Sequence, residues 1–574
     1  MRRPKHAFCV SFVSFLSSDP CISSVTCMVS HRKIRRFLDP WIFLLILSEA
    51  TTGTKVFFPS IYPMENVFCF YLLNNEIHKS ALSAIDKIGI MMYNLIDMKK
   101  VAIFGLGPHA RRIYYPYLEE VIAEHNDISL ELVVDLDTNK KYIEKWLTSR
   151  KLQPKHKIYL SADEQINPSR INDSVTLALQ KYGINKAILS TEPKSHKVYL
   201  KKCIELGIPV VTDKPVTSPV FAEAGAASPR QIADDVDELQ ALLKKHPESR
   251  VLVQCQRRNH KGYQLVLKTV EEVVKQYGVP ITYINIHHSD GMWNMPDEFV
   301  YRENHPYKYG YGKLMHSGYH FIDLLATLFN INTKNISKPP DTLNIFSQGV
   351  HPLDQHMTLD KEIYDKFFGA DIANKFSSFM NKDDLKSYGE VDSFSQLQLV
   401  KEGKVQTTAQ LSLMQSGFSQ RAWSDLPEDA YKSNGRIRHE LVDIHIGPLL
   451  SVQVHSYQSL ETSSDKAMNS EPGGKNHFEI YIFRNIGLIG GKAFERINFG
   501  EQDTASRNDS YIGHNEKSRH AMVDELLYDL PSNSELSDHV VTNKILSLLY
   551  TNHILQKSNA VPYGSYPAKE IFDE

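Results

Sequence analysis

Lys99-Lys100-Val101-Ala102-Ile103-Phe104-Gly105-Leu106-Gly107-Pro108-His109-Ala110 is the stretch on which the fold turns. The apolar run before Gly105 predicts a short buried strand, and the apolar residues Ile113, Tyr117, Leu118 and Ile122 recur at helical spacing after it. Between them stands Gly-x-Gly-x-x-Ala. In a strand–turn–helix unit the first glycine, Gly105, permits the turn, and the second, Gly107, lets a pyrophosphate approach the backbone. The small third residue, Ala110, allows close helix packing. The turn segment Gly105, Gly107, Pro108, His109 and Ala110 is therefore a candidate dinucleotide site.

Working outward, Leu130 to Val134 predicts a second strand that ends in Asp135, 30 residues past Gly105. An acidic side chain there is placed to accept from the ribose hydroxyls of NAD, and the following Leu136 offers no cation for a 2′-phosphate. The coenzyme expected is NAD, with NADP as the alternative. Lys186 to Thr191 and Gly207 to Thr212 predict two more strands, separated by a helix that Ser195-His196 would open. Alternating strand and helix patterns imply a doubly wound parallel sheet, whose ligands sit beyond the carboxyl ends of the strands. Asp213-Lys214-Pro215 falls at such an end.

The chain of 574 residues exceeds a single core, and 42% hydrophobic with 23% charged residues is an ordinary globular composition. A net charge of -2 lacks the basic field of a nucleic-acid binder, so no nucleic-acid partner is expected. Four of the six cysteines, Cys9, Cys21, Cys27 and Cys69, precede Met98. The body keeps only Cys203 and Cys255, which suits a reducing, cytoplasmic setting. Residues 1–97 read as a leader outside the folded enzyme, with Met98 as the expected native start. A secretory or anchoring role is the competing reading, drawn from the basic start and the apolar run Trp41 to Leu47, but that run is far shorter than the roughly 20 residues of a membrane span.

Several separated motifs together resemble the Gfo/Idh/MocA family. They are the Gly105 turn; Thr191-Glu192-Pro193-Lys194-Ser195-His196; Asp213-Lys214-Pro215, similar to the family's E-K-P; and the stretch from Gly310 to Asp323, similar to its G-G-G-x-x-x-D-x-G-x-H-x-x-D signature. The resemblance implies an α/β fold: a Rossmann dinucleotide-binding domain, here 98–250, then an α/β domain with an open, mostly antiparallel sheet, here 251–574. It implies hydride transfer on a sugar, polyol or related alcohol, a sugar-like small molecule as partner, and a homo-oligomer. Thr191, His196, Asp213 and Lys214 would then face the coenzyme. Lys214 inherits the catalytic lysine and His320 the catalytic histidine, with Asp323 orienting His320 or anchoring its helix. His316 stands where the family has aspartate. Spaced as on one helical face, His316 and His320 would form a proton-handling pair or, with Asp323, a metal set; the expectation is no metal. That departure leaves two other functions open: a catalytically silent dinucleotide sensor, or a lyase or hydrolase that uses NAD transiently.

Past residue 250, Val251 to Arg258 resembles the family's strand between domains, and Arg257 or Arg258 would reach a phosphate or stand solvated. Ile281 to His288, Leu397 to Val400, Thr407 to Met414, Leu449 to His455 and Phe478 to Phe483 predict strands, with Lys401-Glu402-Gly403-Lys404 as a hairpin turn. Trp293 and Asn294 would line a pocket, or the tryptophan would simply pack. Residues 335–395 are expected to form helices and loops over the site or an oligomer contact, and 457–476 a loop.

Overall fold

The computed structural model describes residues 7–13, 24–30, 98–161, 168–220, 228–302, 305–380, 383–417, 419–420, 437–459, 471–474, 477–499 and 514–573. The chain divides into two units, Met1–Met98 and Lys99–Glu574. In the first, Ala7–Val13 pairs antiparallel with Ser24–Ser30; the Trp41 to Leu47 run lies outside the described residues. No helix among the described residues is long and apolar enough to cross a membrane.

Among its described residues the second unit holds two large sheets and a two-stranded parallel pair, Met292–Trp293 with Ser419–Gln420. The first has six strands in the order His156–Leu160, Ile128–Leu136, Lys99–Phe104, Lys186–Leu189, Val210–Asp213, Val251–Gln254. Every neighbouring pair is parallel. Counted along the chain within this sheet, the order is the 3-2-1-4-5-6 of a Rossmann fold, whose crevice opens between the first and fourth strands. The sixth strand, Val251–Gln254, belongs to this sheet although it follows the expected boundary at 250. Strand His156–Leu160 gave no recognised sequence signal: His156 and Lys157 interrupt its short apolar run, and as an edge strand only Leu160 is fully buried.

The helix after the glycine turn is broken. Pro108–Arg112 stops at Ile113 and Tyr114–Glu124 begins anew. Pro116 has no N–H to donate to Arg112 and its ring crowds that carbonyl, which prevents one continuous helix. Ser195 does sit at the start of the His196–Glu205 helix, but its hydroxyl donates to the Glu192 carbonyl, 2.8 Å away, and caps nothing.

The second sheet has nine strands in the order Phe494–Asn498, Glu479–Arg484, Leu450–Ser459, Ile437–Ile446, Tyr283–Ser289, Lys404–Met414, Asp392–Lys401, Thr342–Val350, Tyr563–Pro567. Only Tyr283–Ser289 with Lys404–Met414 is parallel. Glu402 and Gly403, with φ of 51° and 73°, make the tight hairpin. Helices Lys261–Tyr277, Tyr319–Asn335 and Val540–Lys557 pack on one face through Val266, Phe321, Leu325, Ile545 and Leu549. The 335–395 segment is not only helices and loops: it contributes the penultimate strand Thr342–Val350 before the helices Pro352–Thr358, Lys361–Phe368 and Ala370–Met380. The strand Leu450–Ser459 runs into the expected 457–476 loop, of which 460–470 and 475–476 lie outside the described residues.

Before its final helix and strand join the second sheet, the chain makes a long-range return. Helix His514–Leu527 returns to the parallel sheet, where Met522, Val523, Leu526 and Leu527 are buried with Val101, Ile103 and Val133.

Candidate active site

At the crevice the two glycines do different work. Gly105 has φ +82°, and a Cβ there would lie 2.6 Å from the Ser190 carbonyl oxygen, so backbone conformation and the neighbouring strand both exclude a side chain. A Cβ on Gly107 would meet nothing within 4 Å. That open approach to the backbone is the cradle a pyrophosphate needs. Pro108 occupies the first helical position and Ala110 is fully buried behind the turn.

Asp135, at the tip of its strand, accepts from Leu106 N at 2.6 Å through Oδ2 and from Leu136 N and Asn139 Nδ2 at 2.7 and 2.8 Å through Oδ1. It thus ties the glycine turn to the second strand, and Oδ2 retains a further lone pair. Asp213 ties three elements together. Tyr114 Oη and Ser190 Oγ donate to it, and His109 Nε2 lies 3.5 Å away.

His196 corrects an expectation. Its ring is fully buried, with Nδ1 3.0 Å from the Pro215 carbonyl and Nε2 3.1 Å from that of Thr191. The neutral ring has one N–H to give to one of these carbonyls, and, fully buried between the two strand-end loops, it presents no exposed edge to a ligand. Thr191, half-buried beside it, has its Oγ1 2.9 Å from Ser195 Oγ.

Lys214 leaves the parallel sheet at its carboxyl edge and donates through Nζ to the main-chain carbonyl of His316. Other contacts close the same junction: Tyr311 Oη donates to Glu192 at 2.8 Å and Lys194 Nζ to Tyr309 Oη at 2.8 Å. Burial pushes the Lys214 ammonium down to about 8, against the pull of Asp213 and Asp290.

His316 does not share a helical face with His320. The helix runs Tyr319–Asn335, and His316 lies in the preceding turn, where its N–H donates to Gly312 at 2.9 Å. Its ring stands among His305, Tyr307 and Tyr311, with centroids at 4.8, 5.3 and 6.2 Å. Burial and then the charges of Arg302 and Lys214 keep this imidazole neutral. The turn is built backbone against backbone: a Cβ on Gly312 would fall 1.9 Å from the Glu390 carbonyl oxygen, to which Lys313 N also donates at 2.8 Å.

His320 is 6% exposed, and its Nδ1 lies 3.3 Å from Cys255 Sγ. Nε2 makes no hydrogen bond among the described residues. Burial, then the fields of Arg257, Lys214 and Arg519, hold the ring well below its usual titration range. Asp323 does not touch His320. Its carboxylate receives both Arg258 Nε and Nη2 at 2.8 Å, Thr542 Oγ1 at 2.8 Å, and lies 3.1 Å from His539 Nδ1. That set commits the carboxylate, so the alternative metal set is not assembled, and no group of three metal-ligating side chains occurs among the described residues.

The arginines are neither solvated nor available to a phosphate. Arg257 pairs with Glu440 and lies 3.9 Å over the Phe321 ring, while Arg258 is locked on Asp323. Trp293 packs with Tyr364, Phe367 and Phe368 in a satellite core. Asn294 instead bonds Tyr307 Oη at 3.0 Å and Arg302 Nη1 at 3.1 Å.

Three groups escaped the sequence reading. Arg519, on the returning helix, acts electrostatically on Lys214 and His320 from about 200 residues or more along the chain. Lys313 is fully buried, bonded to Asp290 at 2.8 Å, Ser317 Oγ at 2.9 Å and His288 Nδ1 at 3.1 Å. Cys255 is the third. A charged residue inside an apolar motif, as Lys313 is, was the one signal available for any of them.

No protein-family model matches the chain, and no curated protein matches it. Solved structures do. The WlbA dehydrogenase from Bordetella pertussis, solved with NADH and UDP-GlcNAcA, aligns over 82% of this chain and 98% of its own at 12% identity and TM-score 0.46. The myo-inositol 2-dehydrogenase from Lactobacillus plantarum and the aldose-aldose oxidoreductase from Caulobacter crescentus, the latter with glycerol, each align over 82% and 99% at 12% identity and TM-score 0.44. At that degree of likeness the strand orders themselves define the class: a Rossmann sheet joined to an open, mostly antiparallel sheet.

Proposed function

We propose that this chain is a nicotinamide-dependent oxidoreductase of the Gfo/Idh/MocA type, moving a hydride between NAD and a sugar, polyol or related secondary alcohol. One observation carries the reading: Lys214, at the carboxyl edge of the Rossmann sheet, meets the turn that precedes the His320 helix, and the adjacent Asp213 is met by Tyr114 and His109 from the helices after the glycine turn. The residues fit the coenzyme, because Gly107 offers an open backbone cradle and Asp135 keeps an acceptor site at the strand tip. NADP remains the alternative.

Bound nicotinamide would supply the two-electron acceptor or donor. The chain's own groups handle the proton and the charge. His320, held neutral, accepts the hydroxyl proton at Nε2. The Lys214 ammonium stabilises the oxygen on which negative charge develops. Residues 98–250 with the Val251–Gln254 strand hold the coenzyme in this reading, and 251–574 shape the substrate side. Turnover of a sugar and polyol panel with NAD, lost in Lys214→Met with dinucleotide binding retained, supports the proposal. Full activity in that variant contradicts it, and binding without turnover in the native chain favours the silent sensor.

A further inference from the structure

Cys255 stands between His320 and Asp323 with Sγ 3.3 Å from His320 Nδ1 and 3.3 Å from Asp323 Oδ2. It is fully buried at the end of the Val251–Gln254 strand. A thiol has one proton to place. Asp323 opposes burial with Arg258 and His539 beside it and stays ionised, whereas burial raises the Cys255 thiol well above its usual range and keeps it S–H. The carboxylate is the stronger acceptor, and a sulfur lone pair aimed at it from 3.3 Å would be repelled. The proton therefore lies toward Asp323, and the sulfur presents only lone pairs to His320.

We propose that Cys255 is a positioning residue: its thiol, oriented by Asp323, holds His320 in the tautomer with hydrogen on Nδ1 and the lone pair on Nε2. The line Arg258–Asp323–Cys255–His320 thus replaces the direct contact between a carboxylate and an imidazole. It gives Asp323 its function at a distance, and it makes Nε2 the proton acceptor in the resting protein. Cys203, the other described cysteine, packs in the apolar core of the Rossmann sheet and takes no part. The inference rests on His320 being the proton acceptor proposed above.

The test uses the full chain labelled with nitrogen-15 histidine, with the His320 resonances assigned by their loss in His320→Asn. The expected wild-type spectrum shows a protonated Nδ1 and an unprotonated Nε2. Cys255→Ser, which keeps a donor and an acceptor, retains it. Cys255→Ala mixes the tautomers and lowers kcat roughly tenfold at unchanged NADH affinity, a part of what general-base catalysis contributes. A wild-type Nε2–H tautomer, or a Cys255→Ala spectrum identical to wild type, overturns the proposal; should Cys255→Ala not fold, the wild-type and Cys255→Ser spectra decide. Failure of the oxidoreductase reading shows itself separately, as a native chain with the expected tautomer that binds no dinucleotide.

Discussion

Burial lowers the Lys214 ammonium to about 8, so its protonated fraction falls through that pH while His320, depressed far below, stays in its accepting form. Alcohol oxidation should accordingly lose kcat as pH rises through about 8; a flat profile from pH 7 to 9 would remove the ammonium from the chemistry. Lys214→Met should cost roughly 10²–10³ in kcat, the scale of one preorganised charge-stabilising donor. The glycines separate stability from binding. Gly105→Ala meets the Ser190 carbonyl and a positive φ, and the backbone term alone costs about 1–3 kcal/mol, visible as a lowered melting temperature. Gly107→Ala should melt like the native chain and bind NADH more weakly, because its Cβ enters only the open cradle. Lys214, Asp213 and both glycines were legible in the sequence because turn geometry and strand-end position are local properties. The bracing of His196 and the lock on Asp323 were not, since their partners Pro215, Arg258, Thr542 and His539 come from other elements.

At the scale of elements, the turn that carries Lys313 and His316 docks on Glu390, whose Oε1 accepts from Leu314 N at 2.7 Å and Tyr550 Oη at 3.1 Å. Burial pushes this carboxyl up to about 7 despite those bonds. Between pH 4.5 and 7 the unfolded chain has lost the proton that the folded chain keeps, so stability falls across that window and levels off above it. Glu390→Gln mimics the protonated acid, and should gain on the order of 3 kcal/mol over wild type at pH 8 while changing little at pH 4. Denaturant melts at the two pH values check this; an equal difference at both would deny Glu390 its raised titration. Element boundaries followed local chemistry where it was strong, as in Glu402-Gly403. They failed where it was overruled: Pro116 broke a helix that the apolar spacing alone predicted, and Tyr319 opened one later than the His316–His320 spacing suggested. Ile437–Ile446 went unrecognised because His439, Asp443 and His445 fill outward positions and the buried Glu440, paired with Arg257, interrupts the inward row of Val442, Ile444 and Ile446.

For the whole molecule, the Rossmann sheet is incomplete without the far end of the chain. Leu526 and Leu527 are buried against it, and Gln254 Nε2 donates to the Arg519 carbonyl at 3.2 Å. A fragment of residues 98–255 should therefore be poorly soluble or loosely packed, and Leu526→Ala should cost about 2–5 kcal/mol; a fragment that melts cooperatively by itself would contradict this dependence. No local periodicity reports that a helix near residue 520 will cover a sheet begun near residue 100, which is why two successive domains were expected where the chain in fact returns. The central claim is that a pyridine dinucleotide lies along the Gly105–Gly107 turn. Titration calorimetry of the full chain with NADH tests it most directly, with Gly107→Ala as the comparison. Saturable binding to the native chain that weakens in the variant is the predicted result; no heat of binding with either NADH or NADPH would contradict the account.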